Sequence, residues 1–207
     1  DFKALKVATD WISGQAEKYG KDCDFVIPTD ENSELYYEAS FTNIVCNAAN
    51  PFDKAEQWQY IDKNVDSEAL KSKYDCNNIV YLLFTNGYDE ALKNDDEIII
   101  NSYVVNVYDK PLDYPYELAC LSMYEGSSGV VPSVIAHEIL HLYGAPDLYA
   151  FDANNINYAT TVGFVDYCRE NVPQEIMLST RDTETGELLS DRITQEITDI
   201  TAYYIGW

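Results

Sequence analysis

Residues 137–147 read HEILHLYGAPD, and this stretch guides the interpretation of the rest of the chain. On a helix, side chains four residues apart lie on the same face, so His137 and His141 can both direct a ring nitrogen at one ion. Glu138 lies further round the helix, where it can hydrogen-bond water beside that ion but is poorly placed to bind the ion itself. The pattern predicts a zinc site with Glu138 as the general base.

The third ligand must come from another residue type, because the chain contains no histidine besides these two. Catalytic zinc has three protein ligands and keeps one position for water. Gly144 permits a left-handed turn at the end of the helix, and the returning chain would bring Asp147 to the ion as an oxygen ligand. HExxHxxGxxD therefore predicts one catalytic zinc ion, bound by Asp147 and the two histidines.

This motif resembles that of the metzincin-type zinc peptidases, in the branch where aspartate replaces the third histidine, as in snapalysin-like and immune inhibitor A-like bacterial enzymes. The resemblance is strong over residues 131–149 and weak elsewhere. Metzincins also carry a methionine in a tight turn beneath the metal, and Met177 matches that position; the other interpretation is a core-filling thioether. The resemblance implies a secreted or cell-surface bacterial endopeptidase that acts on peptides or proteins.

The fold that the resemblance implies is α+β. It has an upper mixed sheet with helices, including the ligand helix, and a smaller irregular lower lobe that ends in a C-terminal helix. The chain would form one catalytic domain, with an upper subdomain at 1–143 and a lower subdomain at 144–207.

In such enzymes the strand before the ligand helix is the lower edge of the sheet, which here is 117–124. An exposed edge can pair with an extended peptide through main-chain hydrogen bonds. The other interpretation is an interior strand. The edge interpretation predicts these substrate-binding residues: Glu117, Leu118, Ala119, Cys120 and Leu121.

Arg181 follows the predicted Met-turn. In metzincin-like clefts, residues at this point line the pocket for the side chain after the cut bond, so Arg181 would favour Asp or Glu there. The other interpretation is a surface arginine paired with Asp182 or Glu184, an interaction worth little free energy.

Hydrophobic spacing and breaker residues predict the order of elements. The predicted helices are 2–19, 53–63, 67–74, a ligand helix that starts at Pro132 or Ser133 and ends at Gly144, and one near 193–204. The predicted strands are 24–29, 35–46, 78–85, 98–108 and 117–124.

Composition limits the partners. The chain has 207 residues, and its 36 acidic and 13 basic side chains give a formal net charge of −23. Such a charge opposes binding to nucleic acid or anionic lipid.

No stretch approaches the roughly 20 apolar residues of a membrane span, and residues 1–5 do not read as a signal peptide. We expect a monomer. Calcium (Ca2+) is not predicted, because residues 152–157 offer oxygen donors without the EF-hand spacing.

The cysteines and tyrosines carry no clear assignment. The five cysteines are an odd set with no CxxC pair, which predicts neither a second metal cluster nor a complete disulfide framework. Some metzincins place a tyrosine hydroxyl near the oxyanion, and three of the 18 tyrosines are candidates, none at a motif position: Tyr149, Tyr158 and Tyr167.

Two alternatives stay open at this point. A gluzincin-like site would take its third ligand from a glutamate on a later helix, Glu170 or Glu175. A non-catalytic binding or adhesion module would keep zinc for structure alone. The intact Glu138 favours an enzyme, since a structural zinc site needs no base and closes its fourth position with protein.

Overall fold

The computed structural model describes residues 2–41, 55–85, 103–105, 118–122, 131–149 and 162–207. This part of the chain combines helices with a small mixed sheet, which confirms the broad α+β class. In chain order the elements are α1 (Phe2–Lys18), α2 (Ala55–Asn64), α3 (Ser67–Tyr74), β1 (Tyr81–Thr85), β2 (Tyr103–Val105), β3 (Leu118–Ser122), α4 (Pro132–Leu142), α5 (Val162–Asn171) and α6 (Asp199–Tyr204).

One compact unit contains the sheet, within residues 26–130. β3 lies between the other two strands: it pairs in parallel with β1, from Tyr81 opposite Leu118 to Thr85 opposite Ser122, and antiparallel with β2. The prediction that β3 forms the sheet edge is therefore wrong. Leu118 and Ala119 point to opposite faces and are both fully buried, which is typical of an interior strand. Because residues 118–120 pair with a strand on each side, their main chain has no free edge to offer a peptide.

α3, in the same unit, is an exposed helix with well-formed ends. Asp66 Oδ1 accepts a hydrogen bond from the Ala69 amide at 3.0 Å, and Asp75 ends the helix in the left-handed region at φ 51°. Lys71 and Glu68 form an ion pair across one turn at 3.1 Å. None of the residues of α3 is buried. Its ends are set by local interactions, and its side chains also bond distant residues: Lys73 and Tyr74 donate to Glu34.

The second unit consists of residues 3–25 and 131–207, and it contains α1, α4, α5 and α6. The predicted subdomains, divided after residue 143, do not coincide with these units, because α4 groups with the residues that follow it and with α1. Gly20, at φ +67°, follows the end of α1 as predicted. The core side chains of the unit include Leu5, Ile12, Ile135, Ile139, Leu148, Ile176 and Met177.

Three sequence predictions of secondary structure need correction. Residues 24–29 and 35–41 form neither strand nor helix; Val26 is 55% exposed, and Pro28 cannot donate to a sheet ladder. The last helix begins only at Asp199, because Glu196 pairs its backbone with Glu175 in an isolated parallel bridge. α5 was not predicted, although its buried Val165 and Cys168 have helical spacing.

The other helix predictions are confirmed to within a few residues, and each described strand lies within a predicted one; β1 begins at Tyr81 rather than at residue 78. None of the described helices is long and apolar enough to cross a bilayer. The thiols of Cys23, Cys76 and Cys168 are free, and the last of these is buried. Several predictions lie outside the described residues or side chains: Glu117, residues 42–46 and 152–157, Tyr158, and the side chain of Cys120.

Candidate metal centre

α4 is buried on every side. Pro132 occupies its first turn, where a missing N–H costs nothing, and Val131 at the N-cap gives no side-chain hydrogen bond. All residues from Pro132 to Leu140 are buried, including His137 and Glu138. The helix is therefore enclosed along its length from Pro132 to Leu140. Charged and polar groups are costly in such a place unless they are paired, so these two need partners.

The end of α4 is a Schellman turn built on Gly144. The Ala145 amide donates to the Leu140 carbonyl at 3.1 Å, and the Gly144 amide donates to the His141 carbonyl at 2.9 Å. Gly144 has φ +98°, which other residue types rarely adopt. The turn reverses the chain and brings Asp147 back beside the helix, as the spacing of the motif predicted.

Three ligand atoms converge at this point. His137 Nε2 lies 3.1 Å from Asp147 Oδ1 and 3.1 Å from His141 Nε2, and His141 Nε2 lies 3.3 Å from Asp147 Oδ1. A tetrahedral ion with bonds of about 2.0–2.1 Å separates its ligand atoms by about 3.3 Å. Among the described residues these three side chains form a group that could hold a metal ion.

Both imidazoles are oriented by backbone carbonyls. His137 Nδ1 lies 3.1 Å from the Ile176 carbonyl, and His141 Nδ1 lies 2.7 Å from the Ala145 carbonyl. A carbonyl only accepts hydrogen bonds, so each Nδ1 carries the proton and donates it. The Nε2 atom of each ring then faces the same point as the carboxylate oxygen. A metal ion can replace a proton among these three atoms, and the donor set therefore fits a metal ion.

The charges around this point act strongly on one another. Burial lowers the pKa of His141, but its hydrogen bond to Asp147 and the charges of Asp147 and Glu138 outweigh burial and raise the pKa to about 9. Burial raises the pKa of Asp147, but the hydrogen bonds from the two histidines outweigh it and hold the pKa well below its usual range. The site therefore stabilises positive charge beside a carboxylate.

Glu138 lies beside the ligands without joining them. Its residue is 6% exposed, and its Oε2 is buried without a hydrogen-bond partner among the described residues. Burial raises the pKa of Glu138, the two histidines oppose that effect, and the charge of Asp147 adds to it. A buried carboxylate oxygen without a partner is costly and is found at catalytic sites.

Met177 lies in a turn that touches the ligands through its backbone. The residue is fully buried, and the turn contains the Ile176 carbonyl that orients His137. The Met177 carbonyl accepts from the Leu148 amide at 2.9 Å, next to Asp147. This placement is consistent with the predicted Met-turn.

The two glutamates considered as third ligands lie elsewhere. Both oxygens of the buried Glu175 accept hydrogen bonds, from the Met177 amide and from Thr198. Glu170 is exposed on α5. Neither belongs to the metal-like group formed by the described residues. The gluzincin-like alternative therefore lacks geometric support.

Tyr149 is the residue near the site that the sequence could not single out. Its ring stacks on His137 with centroids 6.2 Å apart, and its hydroxyl hydrogen-bonds Asp147. Burial, followed by the charges of Asp147 and Glu138, raises its pKa. Tyr167 instead stacks on Phe164 within α5. Tyr149 is 48% exposed as a residue, while its hydroxyl is bonded to Asp147.

Arg181 is exposed, and its guanidinium donates to the Gly186 carbonyl at 3.1 Å. The contact with Gly186 replaces the ion pair with Asp182 or Glu184 that one interpretation of the sequence offered. Asp182 accepts instead from Thr185 and Thr194. The arginine is thus held by its own loop.

The Asp147 side chain is 36% exposed while that of His137 is 6% exposed, so the metal-like group is accessible from the Asp147 side.

Comparison of the chain with protein-family models, with curated proteins and with solved structures gave no match.

Proposed function

We propose that the chain is a zinc-dependent endopeptidase with a metzincin-like fold, secreted or displayed at the cell surface. The observation that carries the proposal is the convergence of His137 Nε2, His141 Nε2 and Asp147 Oδ1 within 3.3 Å, with both Nδ1 atoms engaged by carbonyls. These three side chains would hold the zinc ion, and three protein ligands is the number found in hydrolytic zinc sites.

Glu138 is the proposed general base, and its presence distinguishes a proposed active site from a site that only binds metal. Its buried Oε2 is available to take a proton from the attacking water and to deliver it to the departing amine. The raised pKa makes the carboxylate a stronger base than an exposed glutamate. Bound zinc would polarise the scissile carbonyl and lower the pKa of water.

Tyr149 supports the same reaction from the exposed side of the site. Its hydroxyl can turn from Asp147 to donate to the carbonyl oxygen of the scissile bond as negative charge develops there. The stacked ring on His137 keeps that hydroxyl near the ligands.

Arg181 is the proposed determinant of a modest preference for an acidic residue after the cut bond. The exposed guanidinium keeps donors beyond the one used on Gly186. Such a preference would be lost in Arg181→Ala, with hydrolysis of neutral peptides retained.

Metal identity needs a direct test, because two histidines and a carboxylate also bind iron(II) in oxygenases. Metal analysis of the purified protein is expected to give one zinc per chain. The zinc-loaded protein should then cleave a proteome-derived peptide library, and a chelator should stop cleavage until zinc is restored. Stoichiometric zinc without cleavage of any peptide would instead favour the binding or adhesion module.

A further inference from the structure

A buried carboxylate fixes the turn behind the ligands. Glu175 is 0% exposed, and its Oε1 accepts from the Met177 amide at 3.1 Å. Its Oε2 accepts from both the amide and the hydroxyl of Thr198, at 2.8 and 2.5 Å. Three donors therefore satisfy one buried charge, and together they tie the turn at 176–178 to the residue that precedes α6.

That turn contains two carbonyls, and each accepts a hydrogen bond from a different part of the metal centre. The Ile176 carbonyl orients His137 through Nδ1, while the Met177 carbonyl accepts from the amide of Leu148, the neighbour of Asp147. Two of the three ligands thus depend on the position of one turn. His141 does not, because its Nδ1 donates to Ala145 inside the Schellman turn.

We propose that Glu175 is a positioning residue for the metal centre: its carboxylate holds the turn so that the Ile176 carbonyl fixes the ring of His137. The proposal rests on the metal centre of the proposed function, but not on peptidase activity. Glu175 acts through the backbone and hydrogen-bonds none of the three ligands. Loss of a group bonded directly to a ligand changes metal affinity about 10–100-fold, and Glu175, one step further out, should have an effect at or below the lower end of that range.

The chain offers an internal control, because it contains only two histidines. With ¹⁵N-labelled imidazoles, the metal-free protein should show an Nδ1 proton on each ring, protected from exchange by its carbonyl. In Glu175→Gln, the amide group places a donor where Thr198 donates, and the turn must shift. We expect the His137 Nδ1 signal to move and to exchange faster while that of His141 stays unchanged.

Thr198→Val is a milder variant that removes only the hydroxyl donor. It should move the His137 signal in the same direction by a smaller amount, and it covers the case in which Glu175→Gln does not fold. Zinc affinity, measured by competition with a chromophoric chelator, should fall by up to about 10-fold in Glu175→Gln.

Asp182→Asn is the matched control. Asp182 is also a buried carboxylate of the same unit, 9% exposed, and it accepts from Thr185 and Thr194 rather than from the turn. This variant should leave both histidine signals and zinc affinity as in wild type. A His137 signal unaffected by both Glu175→Gln and Thr198→Val, or both rings changing equally, would overturn the positioning role.

The two proposals fail in different ways. If wild type cleaves no peptide but His137 alone responds to Glu175→Gln, the endopeptidase proposal fails and the positioning role stands. If wild type is an active peptidase and His137 does not respond, the positioning role fails alone.

Discussion

α3 and α4 are helices of similar length that are stabilised in opposite ways. α3 has an aspartate cap, a left-handed C-terminal residue and an ion pair across one turn, and it buries none of its residues. α4 has no side-chain cap and buries every residue from Pro132 to Leu140. Capping and an ion pair mark α3, which has no buried residue, whereas α4 depends on tertiary packing.

The difference shows where polar residues carry function. On α3, no residue is buried, so its charged side chains avoid the desolvation cost that burial would impose. On α4, His137 and Glu138 occupy positions that packing alone would give to apolar residues. His137 is paired with Asp147 and the Ile176 carbonyl, whereas Glu138 Oε2 has no hydrogen-bond partner among the described residues. Natural sequences break local rules of this kind at functional sites.

The largest effect is expected from Glu138→Gln on α4. The variant keeps shape and hydrogen bonding without basicity, so peptidase turnover should fall by about 100-fold or more, while zinc content is unchanged. Glu68→Gln makes the same exchange on α3 and should leave turnover intact. Rates of cleavage of one library-derived peptide measure both, and wild-type turnover by Glu138→Gln would eliminate it as the base.

Asp147→Ala should reduce zinc affinity by more than about 100-fold, because loss of a ligand costs more than loss of an outer partner. Glu170→Ala, which removes the exposed carboxylate of α5, should bind zinc like wild type. Chelator competition measures both affinities. If Glu170→Ala loses zinc affinity and Asp147→Ala keeps it, Glu170 is the third ligand and the HExxHxxGxxD assignment is wrong.

Asp66→Ala removes the cap of α3 and should lower the free energy of unfolding by about 1 kcal/mol. Zinc affinity should not change. Asp66→Asn keeps an accepting oxygen and should unfold like wild type. Urea denaturation measures the difference. Equal stability of all three proteins would show that α3, like α4, is held by packing.

The smallest effect is expected from the ion pair of α3. Both partners are partly or largely exposed, and Glu68→Gln should cost about 0.2–0.5 kcal/mol in low salt and less as salt screens the pair. Urea denaturation at two salt concentrations tests this. A cost that is unchanged in high salt would rule out an electrostatic origin.

The sequence predicted the features that depend on residues close together in the chain, and it missed those that depend on distant residues. The helical spacing of the histidines and the Gly144 turn are local, and the carbonyl of Ala145 is only four residues from His141. The Ile176 carbonyl that orients His137 is 39 residues away, and no local pattern identifies it. The interior position of β3 likewise depends on pairing with β1 and β2 across long connections. Tyr149 could not be identified from the sequence, because it is one of 18 tyrosines and lies at no motif position.

The dependence of His137 on Ile176, and of that turn on Thr198, has a consequence for biosynthesis. A nascent chain emerges from the ribosome with its HEILH segment first and its orienting carbonyl only later. Until Thr198 has followed, the first histidine lacks a fixed direction, and the ligand set is incomplete. The ring of His137 is therefore oriented only after Thr198 has been synthesised, and the metal-like group is completed late.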